Sequence, residues 1–122
     1  MSRDPQRLQD YLSHILLAIK RIQEYCSDID ELGFLKSQLI QDAVIRNFEV
    51  IGEASKNIER SFPEYAAAHP ELPLIIAYEM RNALAHGYFK VDLPIIWKTI
   101  EINLPALEDQ IVQLIEANPS FE

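Results

Sequence analysis

From Leu8 onward the apolar residues return at spacings of four and three: Leu8, Leu12, Ile15, Ile19, Ile22 and Cys26. That rhythm is the period of one face of an α-helix, and alternating strand patterns cannot produce it. Asp4 and Pro5 stand just before it as an N-cap and a first-turn proline, which places the helix start. The chain has only three glycines, and no Asn-Gly or Asp-Gly pair separates alternating apolar runs, so hairpins have no local signal. The sequence therefore predicts an all-α protein.

The same reading continues along the chain. Residues 27–33 read as a linker that has room for a helical turn. A second helix is expected from about Leu35 to Arg60, with Ile40, Val44, Phe48, Ile51, Ala54 and Ile58 as its stripe. Gly52 and Ala54 are small enough to permit close helix approach. Three prolines between Pro63 and Pro73 mark a connector, interrupted by a short turn at 66–68. A third helix is predicted from Pro73 to Gly87, the latter a C-terminal cap. Its Leu74, Ile75, Ile76 and Ala77 point all around the axis, which suits a central helix or one lying against a second copy of the chain. Asp92 and Pro94 open a last helix, striped by Trp97, Ile100, Leu104, Leu107, Ile111 and Leu114. Pro105 lies inside it and cannot donate to Glu101, so a kink is expected there. Four main helices with short links make an up-down four-helix bundle with short extra helical turns, one domain over residues 1–122.

Composition narrows the function classes. Net charge is −8, which disfavours indiscriminate binding to phosphate backbones but leaves room for a local basic site. All 11 lysines and arginines lie at or before Lys98, so any phosphate-facing surface is built from that part of the chain. Glu101, Glu108, Asp109, Glu116 and Glu122 follow unopposed and are expected to face water or a basic partner. The N-terminus carries no apolar secretory segment and no stretch is apolar enough for a membrane, so no membrane partner is expected. A lone Cys26 on the first stripe reads as a small buried hydrophobe and fits a cytoplasmic protein.

Common metal and cofactor sites have no counterpart here. None of the three histidines, His14, His69 and His86, follows a glutamate by three residues, and there is no His-Glu-x-x-His, cysteine cluster or phosphate-cradling glycine loop. No metal and no cofactor is expected. His14 reads as a packing or rim residue beside the first stripe, and His69 as a solvated loop residue. What remains is residues 78–89, where Tyr78, Arg81, Asn82, His86 and Tyr88 gather a guanidinium, an amide, an imidazole and phenols at a helix end. An imidazole titrating near neutrality can take the ribose 2′-OH proton, and a planar guanidinium can hold phosphate oxygens in pairs. Five residues separate Arg81 from His86, about 140° around an ideal helix. The two meet only if the helix ends before His86 or if two copies of the site face each other. On spacing alone, capping accounts for both His86 and Gly87, and Arg81 has Glu79 or Asp92 as ordinary ion-pair partners.

The ordered motif Arg81-x-x-x-x-His86-x-Tyr88 resembles that of the HepT-like branch of HEPN proteins, and the likeness extends along most of the chain. Residues 11–15, 41–47 and 51–54 are similar to the family's first two helices, and 91–93, Trp97 and 104–107 to its last. A Pro73-Leu74 pair stands where family members often have Pro-Trp, a change at the motif helix's start. The resemblance implies a HEPN-like bundle acting as a homodimeric, metal-independent endoribonuclease on an RNA substrate, with Arg81, Asn82 and His86 as its catalytic residues. It also implies a toxin whose cognate antitoxin, a minimal nucleotidyltransferase, adds AMP to Tyr88. Such an adduct would place phosphate charge and a nucleoside beside Arg81 and His86. Arg46 and Glu53, seven residues apart on one face of the second helix, are expected to pair or to support the cleft, and Tyr78 to pack or to stack on a base. The competing reading is a non-catalytic helical dimer that binds a nucleotide or its partner, with Arg81 as a phosphate clamp.

Overall fold

The computed structural model describes residues 5–70 and 93–117, and among them every regular element is helical. α1 (Pro5–Tyr25) runs where the stripe demands: Leu12, Ile15, Ile19 and Ile22 are all at most 1% exposed, with Ala18 beside them. Leu8 is only half-buried, at the helix's open end. The expected N-caps at Asp4 and Asp92 and the helix over Pro73–Gly87 lie outside the described residues.

The junction after α1 holds the helical turn for which the linker had room, but it runs further than expected and delays the second long helix. The linker becomes a short helix, α2 (Glu31–Lys36), started by Asp30, whose carboxylate accepts from the Gly33 amide at 2.9 Å. Leu35 belongs to α2, and the long helix α3 (Gln38–Ser61) begins three residues later than predicted. Ser37 is the reason. Its N–H donates to the Phe34 carbonyl at 3.3 Å, ending α2, while its hydroxyl accepts from Ile40 N–H at 3.2 Å, capping α3. The Gln41 side chain then reaches back to donate to the Phe34 and Leu35 carbonyls at 2.9 and 3.1 Å. Helix-terminal carbonyls without partners are thereby satisfied by a side chain one turn into the next helix.

α3 buries Val44, Phe48, Ile51, Ala54 and Ile58 as its pattern requires, with Ile40 half-buried. Gly52 is buried too. Two polar residues enter this buried face, and each is satisfied within the helix. Asn47 Nδ2 donates to Ala43 O at 2.9 Å, and Ser55 Oγ to Ile51 O at 2.7 Å. α3 ends at Phe62, and α4 (Pro63–Ala68) starts with a first-turn proline. The ring of Phe62 stands edge-on to that of Tyr11, centroids 6.5 Å apart, which brings the end of α3 to the start of α1 and makes the two antiparallel. His69 is not simply solvated: its ring lies 4.4 Å from that of Tyr65, and the residue is half-buried.

The C-terminal part is α5 (Leu93–Lys98), a π-helical turn (Thr99–Asn103) and α6 (Leu104–Ala117). Pro105 has no N–H for the Glu101 carbonyl. The ladder responds by widening, and Leu104 N–H donates to Thr99 O, five residues back. The expected disturbance thus takes the form of a π turn immediately before the proline. Trp97, Ile100, Leu104, Ile111 and Leu114 are buried on both sides of it, and Leu107 is half-buried. Trp97 meets Phe34 of α2 with ring centroids 5.4 Å apart. Glu108, expected to be unopposed, is held from α1: Lys20 Nζ lies 3.3 Å from one carboxylate oxygen and Gln23 Nε2 donates to the other at 3.1 Å. With the Lys20 side chain 59% exposed, this pair contributes on the order of 0–1 kcal/mol and acts mainly to set register.

One core results, shared by α1, α2, α3, α5 and α6. Phe34, fully buried against Trp97, is its bridge between the middle and the end of the chain. Phe34→Ala is expected to lower the unfolding free energy by ~3–5 kcal/mol, whereas Leu39→Ala, at a residue 81% exposed, should change it by no more than about 0.5 kcal/mol. Urea titrations of both variants check the contrast. Burial also pushes the Cys26 thiol above its ordinary value, because the thiolate would lose hydration. Its raised folded pKa leaves stability unaffected at neutral pH; stability falls only as pH climbs past the unfolded thiol's value of 9.0, where the unfolded chain ionises first. Alkylation of native protein at neutral pH should accordingly be slow, and become fast in denaturant.

Candidate functional site

Where α1 and α3 diverge toward solvent they leave an open cleft of about 280 Å³. From α1 it takes Tyr11 and His14, one turn apart. From α3 it takes Arg46, Glu53 and Asn57, with Val50 and Ala54 as an apolar floor. The α3 residues fall at i, i+4, i+7, i+8 and i+11, which is one face of a helix, so the antiparallel pairing lines them up against α1.

Arg46 and Glu53 share this face, as expected, but the ion pair of Arg46 goes elsewhere. Its Nη1 lies 4.0 Å from Glu49 Oε1, one turn on, and the arginine side chain remains 71% exposed. The reason is reach: Glu49 is adjacent on the helix surface, while Glu53 is two turns away. Glu53 is exposed and has an interaction of its own. His14 is exposed and lines the cleft edge, in keeping with a rim position. Tyr11 is half-buried, its ring fixed against Phe62.

Asn57 and Tyr11 were not singled out in the sequence. Asn57 was recoverable from periodicity, since eleven residues after Arg46 returns to the same face. Tyr11 was not, because its place in the cleft depends on how α1 is rotated against α3. The motif residues Arg81, Asn82, His86 and Tyr88, with Tyr78, lie outside the described residues. Among the described residues, no group of three or more His, Cys, Asp or Glu is placed to hold a metal ion, and no helix is long and apolar enough to cross a membrane.

Comparison with known proteins gives a consistent result. The family described as ribonuclease HepT-like matches residues 15–114, a span that contains the Arg81–Tyr88 motif. A protein of Thermococcus cleftensis named as a probable ribonuclease HepT is 42% identical over 106 residues, covering 87% of this chain and 94% of that protein. An RNase-named protein of Caldanaerobacter subterraneus subsp. tengcongensis is 36% identical over 106 residues, 87% of this chain and 92% of its own. A longer Methanocaldococcus jannaschii protein, whose name joins a gamma-glutamylcyclotransferase to an RNase, is 41% identical over 106 residues; that match takes in 87% of this chain but only 46% of the longer protein, just under half its length. No solved structure matches the chain. With every regular element of the described residues helical and a family match over residues 15–114, the chain belongs to the ribonuclease HepT-like family, whose class is that of RNA-cleaving enzymes.

Proposed function

We propose that this chain is the toxin of a toxin–antitoxin pair, a homodimeric endoribonuclease that works without a metal in the cytoplasm. The observation that carries the reading is the ordered run of Arg81, Asn82, His86 and Tyr88 within the span matched by the family. In this reading His86 takes the proton from a ribose 2′-OH. The 2′-oxygen then attacks the adjacent phosphorus, the bond from phosphorus to the 5′-oxygen breaks, and that oxygen leaves as a hydroxyl by taking a proton from water, while His86 returns its own proton to solvent. Arg81 holds the phosphorus oxygens as negative charge gathers on them, with Asn82 as a further hydrogen-bond donor. The products are a 2′,3′-cyclic phosphate and a 5′-hydroxyl.

The off-switch in this proposal is AMP transfer to Tyr88 by a minimal nucleotidyltransferase antitoxin. Two residues from Arg-x-x-x-x-His, an added phosphate competes with RNA for the same guanidinium. Arg46 and Glu53 serve as polar support beside the substrate path, and Tyr78 packs at the motif helix.

Incubation of the purified protein with RNA in excess EDTA tests the reading. Cleavage with cyclic phosphate ends is expected, and His86→Ala should lose roughly 10²–10⁴-fold of it, the worth of a general base. Equal cleavage by His86→Ala refutes the role given to that residue, and absence of cleavage by the wild type refutes the activity. Intact mass after co-expression with the nucleotidyltransferase should show AMP adducts that Tyr88→Phe removes.

A further inference from the structure

The cleft between α1 and α3 offers a guanidinium, an imidazole, a carboxylate, a carboxamide and a phenol ring over an apolar floor, none of them part of the cleavage motif. Its size sits just below the ~300 Å³ at which small-molecule sites begin, which suits one nucleotide and excludes a duplex. Charge separates it from another described depression of similar size, about 320 Å³ between α2 and α5. There Glu31 and Glu101 flank the single Lys98, so an anion meets net repulsion. Here Arg46 stands with its side chain 71% exposed, its guanidinium in a long 4.0 Å contact with Glu49, and the exposed His14 lies across from it on α1. In a chain of net charge −8, a cleft lined by one guanidinium and one carboxylate is a place where phosphate is tolerated.

We propose that this cleft is a subsite of the RNA substrate that seats one nucleotide of the bound strand. The inference rests on the RNA-cleaving reading above and names where the substrate is held. Arg46 and His14 contact the phosphate, Arg46 with its two-pronged geometry. Glu53 accepts a hydrogen bond from the ribose 2′-OH, the group that distinguishes RNA from DNA. Tyr11, its ring fixed against Phe62 and so costing little entropy to use, stacks on the base over Val50 and Ala54, and Asn57 reaches the base edge. Single-stranded RNA fits such a set, because its bases are free to splay onto an aromatic ring.

The test is fluorescence anisotropy with a labelled single-stranded RNA and the DNA of the same sequence. Full-length protein carrying His86→Ala is used throughout so that the probe survives. Arg46→Ala should weaken RNA binding by about tenfold, the worth of a charge-assisted contact, and reduce the slope of log affinity against log salt by about 0.7, while His14→Ala should weaken binding by about threefold, the worth of an ordinary hydrogen bond. Glu53→Gln should narrow the preference for RNA over DNA. Glu49→Gln, outside the cleft, should leave binding intact or tighten it by releasing Arg46. Unchanged affinity and salt slope in both Arg46→Ala and His14→Ala, with wild-type circular dichroism and melting, would overturn the proposal. So would a change of sedimentation mass in Arg46→Ala at unaltered RNA affinity, since the cleft would then hold protein. The two readings fail separately. A wild type that binds RNA through Arg46 without cutting it keeps the subsite and loses the nuclease; one that cuts RNA with Arg46-independent binding does the reverse.

Discussion

The interlocking of the α1 stripe with the α3 stripe is the contact on which the other elements build. Leu12, Ile15, Ile19 and Ile22 from one side meet Val44, Ile51 and Ile58 from the other, and all are at most 2% exposed. Each such side chain contributes roughly 1.5–3 kcal/mol when removed from water, so this seam outweighs any single polar contact in the molecule. α6 then closes on α1, with Glu108 held by Lys20 and Gln23 at its rim.

Two of the polar groups that enter this core are satisfied by their own helix. Asn47 and Ser55 bond back to carbonyls four residues earlier, and Gln41 closes the end of α2. The Ser37 junction matters for the same reason. It lets the chain stop one helix and start another within a single residue, with the Ser37 N–H bonded to Phe34 O and the Ser37 hydroxyl to Ile40 N–H. Phe34 is thereby carried into the core, where Trp97 meets it. That short helix gives the middle of the chain a buried contact with the C-terminal segment.

The cleft is a by-product of the same packing. Two antiparallel helices in contact along one seam necessarily diverge on the outside, and the residues just off the seam line the gap. On α3 that row holds Arg46, Glu53 and Asn57 around a floor of Val50 and Ala54; on α1 it holds Tyr11 and His14. Nearness to the seam explains why the cleft mixes fixed and solvated groups. Tyr11 is held by Phe62, whereas Arg46 extends into water with one weak neighbour. A shallow site of this kind suits a flexible single strand better than a rigid ligand.

Much of this was legible in the residues. The α1 stripe, the α3 stripe and the C-terminal seam follow from apolar spacing, because a period of 3.6 leaves no other face to bury. Pro105 foretold trouble in the last helix, since it has no N–H to give, and the Arg81–Tyr88 motif was legible through its likeness to the family's, because its spacing alone is also met by helix capping. Tertiary structure alone decided the rest. Whether Ser37 interrupts or continues a helix depends on Gln41 and Phe34 finding their partners, and whether Pro105 makes a bend or a π turn depends on what Ile100 and Leu104 must bury. The side chains that face each other across α1 and α3 depend on the rotation of one helix about the other. Helical period says which residues share a face, but only packing says what that face meets, and so the amino-acid order determined the elements and the motif while the assembled core determined the cleft.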